Sequence, residues 1–233
     1  MQAAVASVLC ASLLDAAPTA LTSIVESPVA WHLADPTGRP VVCLCTPAAV
    51  RLPHAIIVSR LPERGAALWV GGGDVGWDGS SYPVLRWFAP DRPVLPELRS
   101  RLDATAVTQL ISGWRRHVGL GPGLTPYGDD VVCGALIAAR AAGQPRLDAV
   151  AALLVEAPLE RLTTAPSAAL LRLAAGGWCI PQLATWLRAL AGGGNLAEAS
   201  NALRAVGHSS GRGLLAGATV ALPRRATGDA EAA

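Results

Sequence analysis

Residues 119–130 read Gly-Leu-Gly-Pro-Gly-Leu-Thr-Pro-Tyr-Gly-Asp-Asp, a stretch better suited to holding a ligand than to packing a core. Glycine and proline at this density make a structured loop. Thr125 followed by Pro126 is a helix-start signal, because the hydroxyl can cap free amides and proline suits the first helical position. Val131, Val132, Ala135, Leu136 and Ala139 then follow at helical spacing. Asp129 and Asp130 fall in the first turn. The stretch thus offers a small ligand the bare amides of Gly121 and Gly123, the Thr125 hydroxyl and two acids. Those acids could orient or deprotonate an amine-type acceptor, or hold Mg²⁺ through water. They would also complement the helix dipole without any ligand.

Two further helix starts share this chemistry. Thr163-Thr164-Ala165-Pro166-Ser167 again places hydroxyls and a proline at a helix entry, with Thr164 as a substrate-positioning candidate. Gly207-His208-Ser209-Ser210-Gly211-Arg212-Gly213 is the other. Helix N-termini present unpaired amides and a partial positive charge, so each is a potential anion site. Arg212 in a first turn opposes the dipole, and an anion between Arg212 and the amides of Ser209, Ser210 and Gly211 would resolve that conflict. His208, the only histidine within a motif, is the candidate proton donor. The run Gly71 to Asp78 reads as a hairpin turn in preference to a phosphate cradle, and His32 and His54 read as structural.

The elements that must position these residues fall into two kinds. Val29–Leu33, Val41–Cys45, Ala55–Ser59, Ala66–Val70 and Val84–Phe88 are short β-prone runs separated by turn residues. They predict a small antiparallel sheet or partial barrel. From Glu97 the pattern turns helical, over 97–117, 127–142, 146–156, 165–175, 181–191, 195–206 and 210–222. The apolar N-terminus, residues 1–14, reads as a leading helix. The expected fold is α+β: a β-rich part over 1–96, a helical part over 97–223 carrying the glycine-rich loops, and a frayed tail over 224–233.

Composition narrows the chemistry. A hydrophobic share of 52% and a charged share of 15% fit a folded domain. A net charge of +2 makes no electrostatic case for nucleic acid. All 19 basic residues are arginine, which removes Schiff-base lysine chemistry and the P-loop lysine and leaves arginine forks or amides to hold an anion. The four histidines lack zinc-site spacing, and Cys10, Cys43, Cys45, Cys133 and Cys179 read as buried thiols of a cytoplasmic protein. No apolar run reads as a membrane span.

The three blocks together, Gly119–Leu136, Thr163–Leu171 and Val206–Gly217, resemble the signature segments of the AllH-type subunit family of oxamate carbamoyltransferase. The resemblance covers roughly residues 20–222, most securely after 110. Tyr127 stands where that family has a smaller residue, and Pro166 interrupts its hydroxyl pattern. The resemblance implies a transferase, or a subunit of one beside larger partner subunits, in purine catabolism. Its small anionic substrate would be carbamoyl phosphate or a related acyl phosphate. Two alternatives predict different behaviour: a non-catalytic ligand- or partner-binding subunit, and a metal-dependent hydrolase using the Asp129–Asp130 pair.

Overall fold

The computed structural model describes residues 3–144 and 147–222. It divides into two compact units, Met1–Asp91 and Arg92–Ala233, against the boundary at 96/97 expected from sequence. The expected tail, 224–233, lies outside the described residues.

The first unit is β-rich, as expected, but its sheet closes completely. Its strands are β1 (Ala4–Ser7), β2 (Thr19–Glu26), β3 (Ala30–Ala34), β4 (Pro40–Cys45), β5 (Ala55–Ile57), β6 (Leu68–Gly71), β7 (Asp74–Trp77) and β8 (Ser80–Phe88). They form a closed barrel in the order β1-β5-β4-β3-β2-β6-β7-β8. Closure corrects the expectation of a small antiparallel sheet or partial barrel. The pairs β1–β8 and β4–β5 are parallel. Closure leaves no bare sheet edge. Inward-facing residues alternate along each strand: Trp31 and Leu33, Val42 and Leu44, Leu68 and Val70, Val75 and Trp77 fill the interior.

Three strands escaped the sequence reading. The N-terminus is not a helix: Ala4–Ser7 form β1 between β5 and β8, and helix α1 is confined to Ala11–Asp15. A register shift between Ser23 and Val25 breaks the alternation of β2. Strand β7 is hidden between two tight turns. Gly72 and Gly73 (φ +62° and +85°) and Asp78 and Gly79 (φ +49° and +76°) supply the left-handed pairs that two-residue hairpins require. The run Gly71–Asp78 is therefore a turn plus a strand. Outside the barrel wall, Cys43, Cys45 and Ala55 form a second small cluster. All five cysteines are buried, as expected.

The second unit is helical: α2 (Ala104–Ser112), α3 (Tyr127–Ala141), α4 (Leu147–Glu156), α5 (Ala165–Ala175), α6 (Pro181–Leu190), α7 (Leu196–Arg204) and α8 (Ser210–Ala221). The span expected as one helix over 97–117 is broken into a 3₁₀ turn at Pro96–Arg101, α2, and a second 3₁₀ turn at Trp114–Arg116. Asp103 causes the first break by capping α2 through the Ala106 amide, and Gly113 ends α2. No helix among the described residues is long and apolar enough to cross a membrane.

Helices α3 and α8 pack backbone to backbone. A Cβ on Gly217 would lie 1.9 Å from the Val131 carbonyl oxygen, and one on Gly134 would lie 2.1 Å from that of Leu214. Small residues let helices approach this closely. The contact fixes the start of α8 against the start of α3, which is where the sequence motifs sit.

Candidate functional site

Asp129 gathers the first two motifs. Buried at the start of α3, its Oδ1 accepts from the Gly119 amide at 2.6 Å, and its Oδ2 accepts from the Ser167 hydroxyl at 2.5 Å and from the Thr163 hydroxyl. An ionised carboxylate has about four acceptor positions, so Asp129 is largely occupied by its own chain. The Thr164 hydroxyl donates to the Leu124 carbonyl and also caps α5 by accepting from the Ser167 amide. Glycine is required where the loop touches its neighbours. A Cβ on Gly119 (φ +83°) would strike the Leu162 carbonyl at 2.3 Å, and one on Gly128 would strike that of His117 at 2.0 Å.

The third motif joins through hydroxyls. Thr125 does not cap α3; Pro126 is the N-cap residue and makes no side-chain cap. Instead the Thr125 Oγ1 lies 2.6 Å from the Ser210 Oγ. Both hydroxyls face Asp130 and favour its charged form. Gly213 makes room, since a Cβ there would lie 2.6 Å from the Cβ of Asp130.

Asp130 differs sharply from its neighbour. It is only 4% exposed, and its Oδ2 has no hydrogen-bond partner among the described residues. Burial, with a contribution from the adjacent Asp129 charge, raises its pKa to about 7 against the two hydroxyls. A buried acceptor left empty is costly, and a carboxyl poised near neutrality is a recurrent feature of functional sites. Burial and the same two carboxylates push the Cys133 thiol, one turn along α3, well above its usual range.

A shallow groove of about 400 Å³ runs over the glycine loop, lined by Gly119, Gly121, Gly123, Pro126, Arg161, Thr163 and Thr164, with Leu162 beside them. Gly121 (φ +114°) could not carry a Cβ, which would fall 2.9 Å from the Tyr127 nitrogen. Leu120, Leu124, Tyr127 and Leu162 around this loop are all exposed.

The expected residues thus separate into groups. Gly121, Gly123 and Thr164 share the groove. Thr125, Ser210 and Asp130 meet beside it. Arg212 lines a different cleft, of about 530 Å³, with Arg204, Leu215 and Val220, and its guanidinium donates to the His208 carbonyl at 2.7 Å. His208 is exposed. The Gly211 amide donates to the Val206 carbonyl, and Ser209, the N-cap residue of α8, makes no side-chain cap. The sequence did not single out Arg161, and of the hydroxyls in 163–167 only Thr164 was expected at the site, not Thr163 or Ser167. Their signal lay in the hydroxyls flanking Thr164 and in an arginine two positions before the pair. As for metal, no group of three or more His, Cys, Asp and Glu side chains among the described residues is placed to hold an ion.

Residues 117–222 match the family model described as oxamate carbamoyltransferase subunit AllH, the family that the three sequence blocks resemble. The match lies within the helical unit, and the family is that of a carbamoyltransferase subunit. No solved structure matches the chain.

Proposed function

We propose that this protein is a carbamoyl-transferring enzyme or subunit whose groove binds carbamoyl phosphate or a related anionic acyl donor. The observation that carries this reading is the empty, buried Oδ2 of Asp130 beside two hydroxyls. Such an oxygen calls for a hydrogen-bond donor, and the carbamoyl NH₂ is one. The anionic end then lies in the groove, among the Gly121 and Gly123 amides and the Arg161 guanidinium. Thr163 and Thr164 hold the groove wall through Asp129 and Leu124. Burial makes electrostatic contacts to the reacting group stronger than in water.

Calorimetric titration of the full chain with carbamoyl phosphate tests the reading. Arg161→Ala is expected to weaken binding about tenfold, the loss of one charge-assisted contact. Arg212→Ala is expected to leave it unchanged, because that residue lines another cleft. The opposite ranking would move the anion to the start of α8, and no binding by the unaltered chain would end the proposal.

A second reading draws on the exposed Leu120, Leu124, Tyr127 and Leu162 around the loop. Apolar side chains rimming a polar groove suit a partner subunit that seals it. On that reading the chain is inactive alone and restores activity to its partners.

A further inference from the structure

We infer that Ser210 is a nucleophile that takes the carbamoyl group covalently, with Asp130 as its base and Thr125 as the hydroxyl that holds it in line. The inference rests on the proposed binding of carbamoyl phosphate and deepens it.

Three observations carry it. Ser210 stands at the first position of α8, with its hydroxyl 2.6 Å from that of Thr125. Both hydroxyls face Asp130, a buried carboxyl whose second oxygen is empty. Asp129, by contrast, is engaged by three donors of its own chain. A serine becomes a nucleophile when a base takes its proton and a third group fixes the geometry. Asp130 works best as such a base if it is half-ionised near neutral pH, and burial supports that state. Thr125 also joins the two places, since the next residue, Pro126, lines the groove. Gly213 admits the whole arrangement, because a side chain there would displace Asp130.

The step balances. The Ser210 Oγ attacks the carbonyl carbon of carbamoyl phosphate while its proton passes to Asp130. The bond from that carbon to the bridging oxygen breaks, and inorganic phosphate leaves with the bonding pair. The product is an O-carbamoyl serine, a urethane, and Asp130 passes its proton on to the departing phosphate. The acceptor amine or amide then attacks the urethane carbon, the bond from that carbon to Oγ breaks, and Asp130 carries the proton lost by the acceptor nitrogen to the Ser210 oxygen.

The absence of lysine makes the test clean. Carbamoyl phosphate carbamoylates lysine amines nonspecifically, but here no side-chain amine competes. The intact chain is incubated with carbamoyl phosphate, denatured and desalted before trypsin digestion, and the peptide 205–212 is fragmented in a mass spectrometer. The expected result is a single carbamoyl increment localised to Ser210. It is absent in Ser210→Ala and forms roughly a hundredfold more slowly in Asp130→Asn, the cost of losing a general base. Carbamoyl phosphate binding is measured calorimetrically on the same samples. Retained binding in Ser210→Ala shows that variant to be folded. Binding without a label on Ser210, or a label that survives Ser210→Ala, overturns the nucleophile while leaving the proposed function intact. An unchanged labelling rate in Asp130→Asn overturns the base. No binding by the unaltered chain overturns both.

Discussion

Two carboxylates adjacent in sequence and in the same turn of α3 differ in what they bond. Asp129 ties the glycine loop to the start of α5 through an amide and two hydroxyls, whereas Asp130 leaves an oxygen empty. Removing the first should therefore hurt stability and removing the second should not. Asp129→Ala would strip one buried and two half-buried donors of their acceptor, a loss of about 3 kcal/mol. In urea unfolding, its midpoint is expected to fall well below that of the unaltered chain. A change within about 0.5 kcal/mol would show that the carboxylate is solvated in solution and ties nothing together.

At the scale of elements, the α3–α8 contact is the joint on which the site depends. Gly217→Ala would drive a methyl group into the Val131 carbonyl. Overpacking of this kind costs about 1–3 kcal/mol and should shift α8 against α3, separating Ser210 from Thr125. The expected readout is a lowered thermal midpoint together with weakened carbamoyl phosphate binding. Gly123→Ala, where no atom lies within 4 Å of the added carbon, should carry only the strain of its positive φ (+97°). Most of the helices were legible in the sequence, because capping residues and apolar spacing are local signals. Asn195 caps α7 and Thr164 caps α5 where such residues are expected. The barrel was half legible. The strands Ala30–Ala34 and Pro40–Cys45 declare themselves by β-branched and apolar runs, but closure is a property of pairing between distant segments. The parallel β1–β8 pair has no local signature. The site followed the same division. The hydroxyls and glycines were visible as types, while the separation of Arg212 from the groove depends on which face of α8 meets α3. The place of Arg161 on the groove wall emerges only when the 3₁₀ turn at Leu159–Arg161 and the glycine loop are set in space.

At the scale of the whole molecule, the two units should respond to acid in opposite directions. In the helical unit, Asp130 has its pKa raised to about 7, chiefly by burial, with Asp129 adding to the rise and Ser210 and Thr125 opposing it. The folded state holds that proton more tightly than the unfolded chain. Its stabilising contribution is complete below the unfolded value near 4 and is lost as pH rises through 7. In the barrel, burial lowers His32 to about 4 and His54 to about 3, with His32 adding to the latter. Both ring nitrogens of His54 are buried without a hydrogen-bond partner among the described residues. Here the unfolded state takes the protons first, so stability present above pH 6.5 is lost as pH falls toward 4. Hydrogen exchange resolved by peptide, corrected for intrinsic rates and compared between pH 8 and pH 5, should show stronger protection in α3 and α8 and weaker protection in β3–β5. Asp130→Asn should abolish the first change and His54→Leu should reduce the second. Parallel changes in both units would contradict this assignment. The barrel also contains its own optical reporter. Trp77 and Tyr82 lie face to face with ring centres 4.1 Å apart and planes inclined by 17°. Two chromophores held this close in a chiral frame couple their electronic transitions, so the near-ultraviolet circular dichroism band of the pair would register any parting of the β7–β8 ribbon without a label.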